Sequence, residues 1–193
     1  MSRRPVASPV ASPVASPVVG PALVAALPQP RAGQEPYRIA IVCLGNICRS
    51  PIAEVVLREK LAQVGLGGEV EVVSAGTGGW HIGNPMDTRA ASVLAASGYD
   101  PSQHRAKQFE PGWLDECDLI LAMDDANFEE IAGLGERARL RMFRDFDPSA
   151  AEGDRDVPDP YFGGEDGFDR VLAMVERTAA ALVDVLPSGS DGR

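Results

Sequence analysis

The sequence predicts an α/β protein: a single open, doubly wound parallel sheet of about four strands with helices on both faces. Three observations carry that expectation. From residue 37 onward, short apolar runs alternate with longer segments of helical periodicity. The short runs are continuously apolar, as expected of strands covered on both faces. The 157 residues from 37 to the end suffice for one packed domain and are too few for two large ones.

Residues 38–44 (RIAIVCL) read as the first strand. Residues 51–64 follow as a helix. Pro51 suits its first turn, and Ile52, Val55, Val56 and Leu61 line one stripe. Residues 70–75 (VEVVSA) give the second strand. Residues 87–97 form a helix stopped by Gly98. Residues 118–123 (DLILAM) are the third strand, 124–132 the next helix, and 140–143 a short fourth strand. Residues 165–186 form a long helix with Phe168, Val171, Leu172, Val175, Ala179, Leu182 and Val183 on its apolar face. In open parallel sheets the ligand site lies beyond the carboxyl ends of the strands, which points to the turn after Val42.

The first 36 residues differ in kind. They hold eight of the sixteen prolines, and Pro-Val-Ala-Ser occurs three times between Pro5 and Ser16. Proline at every fourth residue removes backbone donors and breaks helices. Too few large side chains are present to offset the ordering entropy. Residues 1–36 are expected to be a disordered, polyproline-like arm, 37–186 the folded domain, and 187–193 a disordered polar tail. Arg3 and Arg4 mimic the charged start of a secretion signal, but no uninterrupted apolar helix follows. The cytoplasm is the expected location, with secretion the weaker alternative. No apolar run is long enough to span a bilayer.

The formal net charge is −10, and −12 without the arm. Long-range repulsion then opposes general binding to nucleic acid or anionic membrane. The three cysteines and two histidines form no Cys-x-x-Cys or His-x-x-x-His pair. A disulfide scaffold is excluded on that count, the missing pairs argue against a four-ligand zinc site, and the sparse cysteine suits a reducing compartment.

Residues 43–51 read Cys-Leu-Gly-Asn-Ile-Cys-Arg-Ser-Pro, between the first strand and the first helix. Gly45 offers positive φ and close backbone approach. The N–H groups of such a turn can converge on an anion, and the helix N-terminus adds positive potential. Arg49 supplies a planar fork for two phosphate oxygens. Cys43 sits at the floor of that site, where the field that attracts phosphate also favours a thiolate. Ser50 can donate a hydrogen bond to the sulfur. An isolated Cys-x5-Arg would suit an inert cysteine beside an anion equally well. The company of Gly, Asn, a second Cys, Ser and Pro favours a nucleophile. Thiolate attack on a phosphate monoester also needs a proton for the departing oxygen. Asp159 offers one, on a loop stiffened by Pro158 and Pro160, and Asp156 is its nearest rival.

Residues 43–51 resemble the signature loop of the low-molecular-weight protein tyrosine phosphatases. The resemblance extends over most of 38–185. Ser74-Ala75-Gly76-Thr77, Gly83-Asn84-Pro85, Ala122-Met123-Asp124 and Asp159-Pro160-Tyr161 fall in the family's order. The resemblance implies hydrolysis of phosphotyrosine through a phosphocysteine, with no metal and no cofactor. It makes Cys43 the nucleophile, Arg49 the phosphate clasp and Asp159 the general acid, which later activates water. Leu44, Gly45, Asn46, Ile47, Cys48 and Ser50 then form the phosphate-binding loop. Asn46 holds its strained backbone with help from Ser74. Many members place a His of that network on the helix equivalent to 87–97, where this sequence has Ser97. Trp80, Tyr161 and Phe162 wall the substrate cleft. Cys48 can trap an oxidised Cys43 as a disulfide. Cys117 is expected to be structural, and His81 and His104 to be loop residues without a catalytic part. The implied partner is a phosphotyrosine-containing protein or peptide, the protein acting as a monomer.

Other readings share parts of this pattern. A related branch acting on phosphoarginine carries Thr at the position of Ile47, so Ile47 favours phosphotyrosine. A thiol-dependent arsenate reductase needs further cysteines to relay a disulfide, and only Cys117 lies outside the loop. A phosphate-binding module without turnover would not need Cys43, Arg49 and Asp159 together. The arm lacks Pro-x-x-Pro spacing and adjacent basic residues, which argues against a proline-rich ligand for a partner domain.

Overall fold

The computed structural model describes residues 27–33, 35–164 and 166–186. In β1 (Tyr37–Cys43) every residue except Arg38 is buried. The pleat sends its side chains to opposite faces. Ile39 and Ile41 join one core with Val72, Leu119 and Leu121. Ala40 and Val42 join the other with Val73, Ala75, Ile120 and Ala122. A strand buried on both faces has no use for alternating polarity, which is why the run reads as continuously apolar.

Three further strands, β2 (Val70–Gly76), β3 (Leu119–Ala122) and β4 (Leu140–Met142), complete a four-stranded sheet in the order β2-β1-β3-β4. All three pairings are parallel. The first core is closed by α1 (Arg49–Gln63), α2 (Thr88–Ala96) and α5 (Gly167–Val185). The second is closed by α3 (Trp113–Glu116) and α4 (Asp125–Ala132). The architecture is the open, doubly wound α/β sheet that the sequence predicts. In register, Cys43 lies beside Gly76 and Val42 beside Ala122. The carboxyl ends of three strands therefore come level around Cys43. The order reverses there, with β2 to one side of β1 and β3 to the other, which is where such sheets bind ligands.

Element ends differ from the sequence reading by one or two residues, because Asp87 and Asp124 cap α2 and α4 from outside rather than beginning them. Two short elements were not expected, α3 and a single 3₁₀ turn at Phe143–Phe146. One turn carries too few residues to show a period.

The packed body also reaches back further than residue 37. Leu27 packs against the first core, and the Tyr37 hydroxyl donates to the Pro28 carbonyl at 3.1 Å. The Arg31 N–H donates to Asp118 Oδ1 at 2.7 Å, and its guanidinium donates to the carbonyls of Leu114 and Cys117 at 2.5 and 3.2 Å. Asp118 is fully buried before β3 and needs donors; it takes them from the main chain of Arg31 and Arg38. The expected disordered arm therefore does not hold for residues 27–31, which are tied to the folded body through Leu27, Pro28, Gln29 and Arg31. The Pro-Val-Ala-Ser repeat and the expected tail lie outside the described residues. Among the described residues, no helix is long and apolar enough to cross a membrane.

Candidate active site

The chain leaves β1 at Cys43, turns back over its sulfur, and enters α1 at Arg49. The turn needs one residue in the left-handed region. That residue is Asn46, at φ 53°, and not Gly45, whose φ is not positive. Asparagine tolerates this region better than other side chains, and here its side chain also fixes the turn. Nδ2 donates to Ser50 Oγ at 2.9 Å and to Ser74 Oγ at 2.8 Å. Oδ1 accepts the Lys107 N–H at 2.8 Å. Gly45 serves close approach: a Cβ there would lie 3.2 Å from the His81 ring. Gly76 serves it more strictly, since a Cβ would lie 2.7 Å from the Leu44 carbonyl oxygen.

Behind Asn46 lies a second layer that the sequence reading did not assemble. His104 is buried, and its Nε2–H donates to the Asn46 carbonyl at 2.8 Å. Its Nδ1 faces Glu54 at 3.7 Å. Glu54 also accepts from the Ser74 hydroxyl and pairs with Arg58 at 2.8 Å. Burial would raise the Glu54 pKa, but His104, Ser74 and Arg58 outweigh it and hold the carboxyl below its ordinary range. The support of the loop is thus Ser74, Glu54 and His104. Ser97 is exposed at the end of α2 and takes no part. His104 lies in a loop, as expected, and the structure adds that it is buried there as a support of residues 43–51.

Cys43 Sγ lies 3.0 Å from Ser50 Oγ and accepts the Asn46 N–H at 3.3 Å. The Ser50 hydroxyl has one proton and two acceptors in reach, the sulfur and the Ala75 carbonyl at 3.2 Å. With Asn46 Nδ2 donating to its oxygen, that proton is free to support a thiolate. No side chain caps the start of α1, and its first turn has no acidic residue. The positive end of the helix is left to whatever the loop holds. Cys48 lines the same cleft, but burial, reinforced by Asp87, Cys43 and Asp159, pushes its thiol up to about 12. Cys48 is therefore a protonated neighbour. Cys117 is fully buried in the second core, away from the cleft.

Arg49 is 3% exposed, and its fork is oriented from the far side. Nη1 donates to Asp124 Oδ2 at 2.5 Å and to the Val157 carbonyl at 3.1 Å. Nη2 donates to Asp159 Oδ2 at 3.1 Å. Burial would lower its pKa, but Cys43, Asp124 and Asp159 outweigh that and hold it above the ordinary value. Asp124 does two tasks. Its Oδ1 caps α4 through the Asn127 N–H at 2.7 Å, while Oδ2 holds Arg49. The sequence reading saw Asp124 as a landmark and gave it no role.

The cleft over the sulfur has a volume of about 180 Å³ and is lined by Cys43, Arg49, Asp159 and the walls expected from sequence, Trp80, Tyr161 and Phe162. His81 lines it as well, which the sequence reading did not foresee. The Trp80 ring folds over Gly78, where a Cβ would lie 1.9 Å from the indole, so only glycine admits this pose. Tyr161 and Phe162 meet edge to face, with centroids 4.9 Å apart. Arg89 stacks on Tyr161 and donates to its carbonyl at 3.1 Å. Asn46 and Ser50 brace the loop from within, and Ser74 braces it from β2 behind.

The comparisons with known proteins agree with this geometry. The family model "Low molecular weight phosphotyrosine protein phosphatase" matches residues 38–189. A low molecular weight protein-tyrosine-phosphatase from Streptomyces coelicolor is 45% identical over 161 residues, covering 81% of this chain and 98% of that protein. Low molecular weight protein-tyrosine phosphatase A from Mycobacterium tuberculosis is 45% identical over 151 residues, covering 78% and 91%. Among solved structures, YfkJ from Bacillus subtilis superposes with a TM-score of 0.72 at 34% identity, covering 80% of this chain and 96% of that one. Loop, strand order and match across the folded body point one way: the chain belongs to the low-molecular-weight protein tyrosine phosphatase family.

Proposed function

We propose that this enzyme hydrolyses phosphotyrosine in proteins or peptides, with Cys43 as nucleophile, Arg49 as phosphate clasp and Asp159 as general acid and base. The observation that carries the reading is the convergence of all three on one cleft, with Arg49 held against Asp159 at 3.1 Å. An entering phosphate takes the Nη2 donor that Asp159 now occupies. Released from the guanidinium and facing the phosphate dianion, the carboxylate takes a proton from solvent and turns it toward the leaving oxygen. The Cys43 thiolate attacks phosphorus in line. The S–P bond forms, the P–O bond to the phenol breaks, and the Asp159 proton goes to the phenol oxygen. Arg49, the loop N–H groups and the uncapped start of α1 hold the equatorial oxygens as charge redistributes. Asp159, now a carboxylate, takes a proton from water, whose oxygen attacks phosphorus. The P–S bond breaks, inorganic phosphate leaves, and the Ser50 hydroxyl and Asn46 N–H receive the thiolate.

Trp80, Tyr161 and Phe162 favour a planar aryl group above the sulfur. The depth of the cleft disfavours phosphoserine, whose shorter side chain stops above Cys43. Cys48, on the same loop and lining the same cleft, supports a role in trapping an oxidised Cys43 as a disulfide. We also propose a cytoplasmic, monomeric enzyme. The chemistry requires a reduced Cys43, and all three cysteines are unpaired. A comparison of kcat/KM for phosphotyrosine, phosphoserine and phosphoarginine peptides, alongside arsenate reduction, tests the reading. Phosphotyrosine should lead by orders of magnitude. A preference for phosphoarginine, or thiol-dependent arsenate reduction, would overturn it.

A further inference from the structure

We infer that Arg144 is a positioning residue for the general acid, resting on the reading of Asp159 as that acid. Arg144 is 4% exposed in the 3₁₀ turn after β4 and touches nothing in the cleft. Its Nε donates to Asp147 Oδ2 at 3.2 Å, and its Nη1 donates to the Asp156 carbonyl at 2.9 Å. The same nitrogen pairs with Asp154 at 2.9 Å. Asp147, whose side chain is fully buried, is gripped again from α5 by Arg177, at 2.6 and 2.8 Å. The guanidinium of Arg144 thus fastens residues 154–156 to the 3₁₀ turn and, through Asp147, to α5.

Those residues lead directly to Asp159. Its neighbours Pro158 and Pro160 have no N–H to fasten, so their stiffness only transmits a position set elsewhere. Upstream that position is set at two residues. Asp156 is held by Arg144 at its carbonyl and by the Asp125 N–H at Oδ1, 2.9 Å. Val157 donates to the Met123 carbonyl at 2.7 Å and accepts from Arg49 at 3.1 Å. Downstream the Tyr161 N–H donates to Asp159 Oδ1 at 3.0 Å, and Arg89, from a half-exposed side chain, holds the Tyr161 carbonyl. A buried guanidinium is costly to desolvate, and here, besides its carboxylate partners, it donates to the backbone carbonyl three residues before the acid. General acids act through distance to the leaving oxygen, so loosening that backbone should weaken proton donation before it weakens phosphate binding.

The test uses two substrates that differ in how much they need a proton. Phenyl phosphate has a basic leaving group, and p-nitrophenyl phosphate a weakly basic one. Arg144→Met should lower kcat/KM for phenyl phosphate by about tenfold, a fraction of what a general acid supplies, and for p-nitrophenyl phosphate far less. Arg144→Lys keeps a charge beside Asp147 but lacks the fork to hold Asp156 too. It should show the same contrast with the fold secured by an unchanged melting temperature. In an Asp159→Ala background, Arg144→Met should cost nothing further. Equal losses on both substrates, no loss, or a loss that persists without Asp159 would overturn the proposal. If Asp159→Ala itself shows no contrast between the substrates, the reading of Asp159 fails, and the positioning role falls with it.

Discussion

Asn46 joins two demands that rarely meet in one residue. Its backbone must adopt a left-handed turn, at a cost of about 1–2 kcal/mol for an ordinary L residue, and its side chain must bridge the loop to β2. Asn46→Ala should lower kcat by at least tenfold in steady-state assays with p-nitrophenyl phosphate, while the far-UV spectrum stays native. Unchanged kcat would show that the loop holds its shape without that side chain. Cys48 makes a second residue-scale prediction. Its thiol, pushed up to about 12, stays protonated at neutral pH. Iodoacetate should therefore label Cys43 and spare Cys48 and Cys117, and vanadate should protect the label site. Peptide mapping that finds Cys48 labelled in the native enzyme would contradict this. The residues most legible in sequence were those inside the nine-residue loop and the Asp-Pro-Tyr landmark, where local spacing is distinctive; Ser74 and Trp80 came only with the family resemblance. Glu54, His104 and Asp124 were not assigned, because each acts on the loop through contacts made only by folding. The reading looked for the missing support on α2. It came instead from the loop beyond, where no period marks a buried histidine.

At the scale of elements, the strands and long helices were legible because the core imposes their periods. β1 is read correctly as buried on both faces. The single turns α3 and Phe143–Phe146 escaped, yet the second holds Arg144 and leads to Asp147, on which the segment before Asp159, through Arg144, and α5 converge. Burial would raise the Asp147 pKa, but Arg177, the Ser149 N–H and Arg144 outweigh it and hold the carboxyl below its ordinary value. A carboxyl lowered by folding stabilises the native state above the unfolded pKa of about 4, and that contribution fades as pH falls through the folded value. Urea melts should therefore show stability dropping below about pH 4. Asp147→Asn should be less stable at neutral pH, by about 3–5 kcal/mol for breaking a buried pair, and should lose less on acidification. A parallel pH dependence in variant and wild type would remove Asp147 as the cause.

For the whole molecule, the net charge of −10 opposes binding to broad anionic surfaces without opposing one dianion, because a single buried Arg49 and a helix start act locally. The proline-rich composition misplaced the edge of the folded body. Leu27 and Arg31 belong to it, since Asp118 needs their neighbourhood for donors, and composition does not register a requirement set by a buried carboxylate eighty-seven residues away. Deleting residues 1–26 should leave turnover and melting temperature unchanged. Deleting 1–36 should lower the melting temperature by several degrees, since the buried Asp118 Oδ1 loses its Arg31 donor, a loss worth about 1–3 kcal/mol, with turnover retained at low temperature. Equal melting temperatures for the two truncations would show that the Arg31 contacts carry no stability. The central claim is that phosphate passes through a bond to Cys43. Rapid acid quench of the enzyme with labelled aryl phosphate, followed by peptide mapping, tests it most directly. Label should appear on the peptide containing Cys43 and vanish in Cys43→Ser along with turnover. Label on any other residue, or turnover surviving in Cys43→Ser, would contradict it.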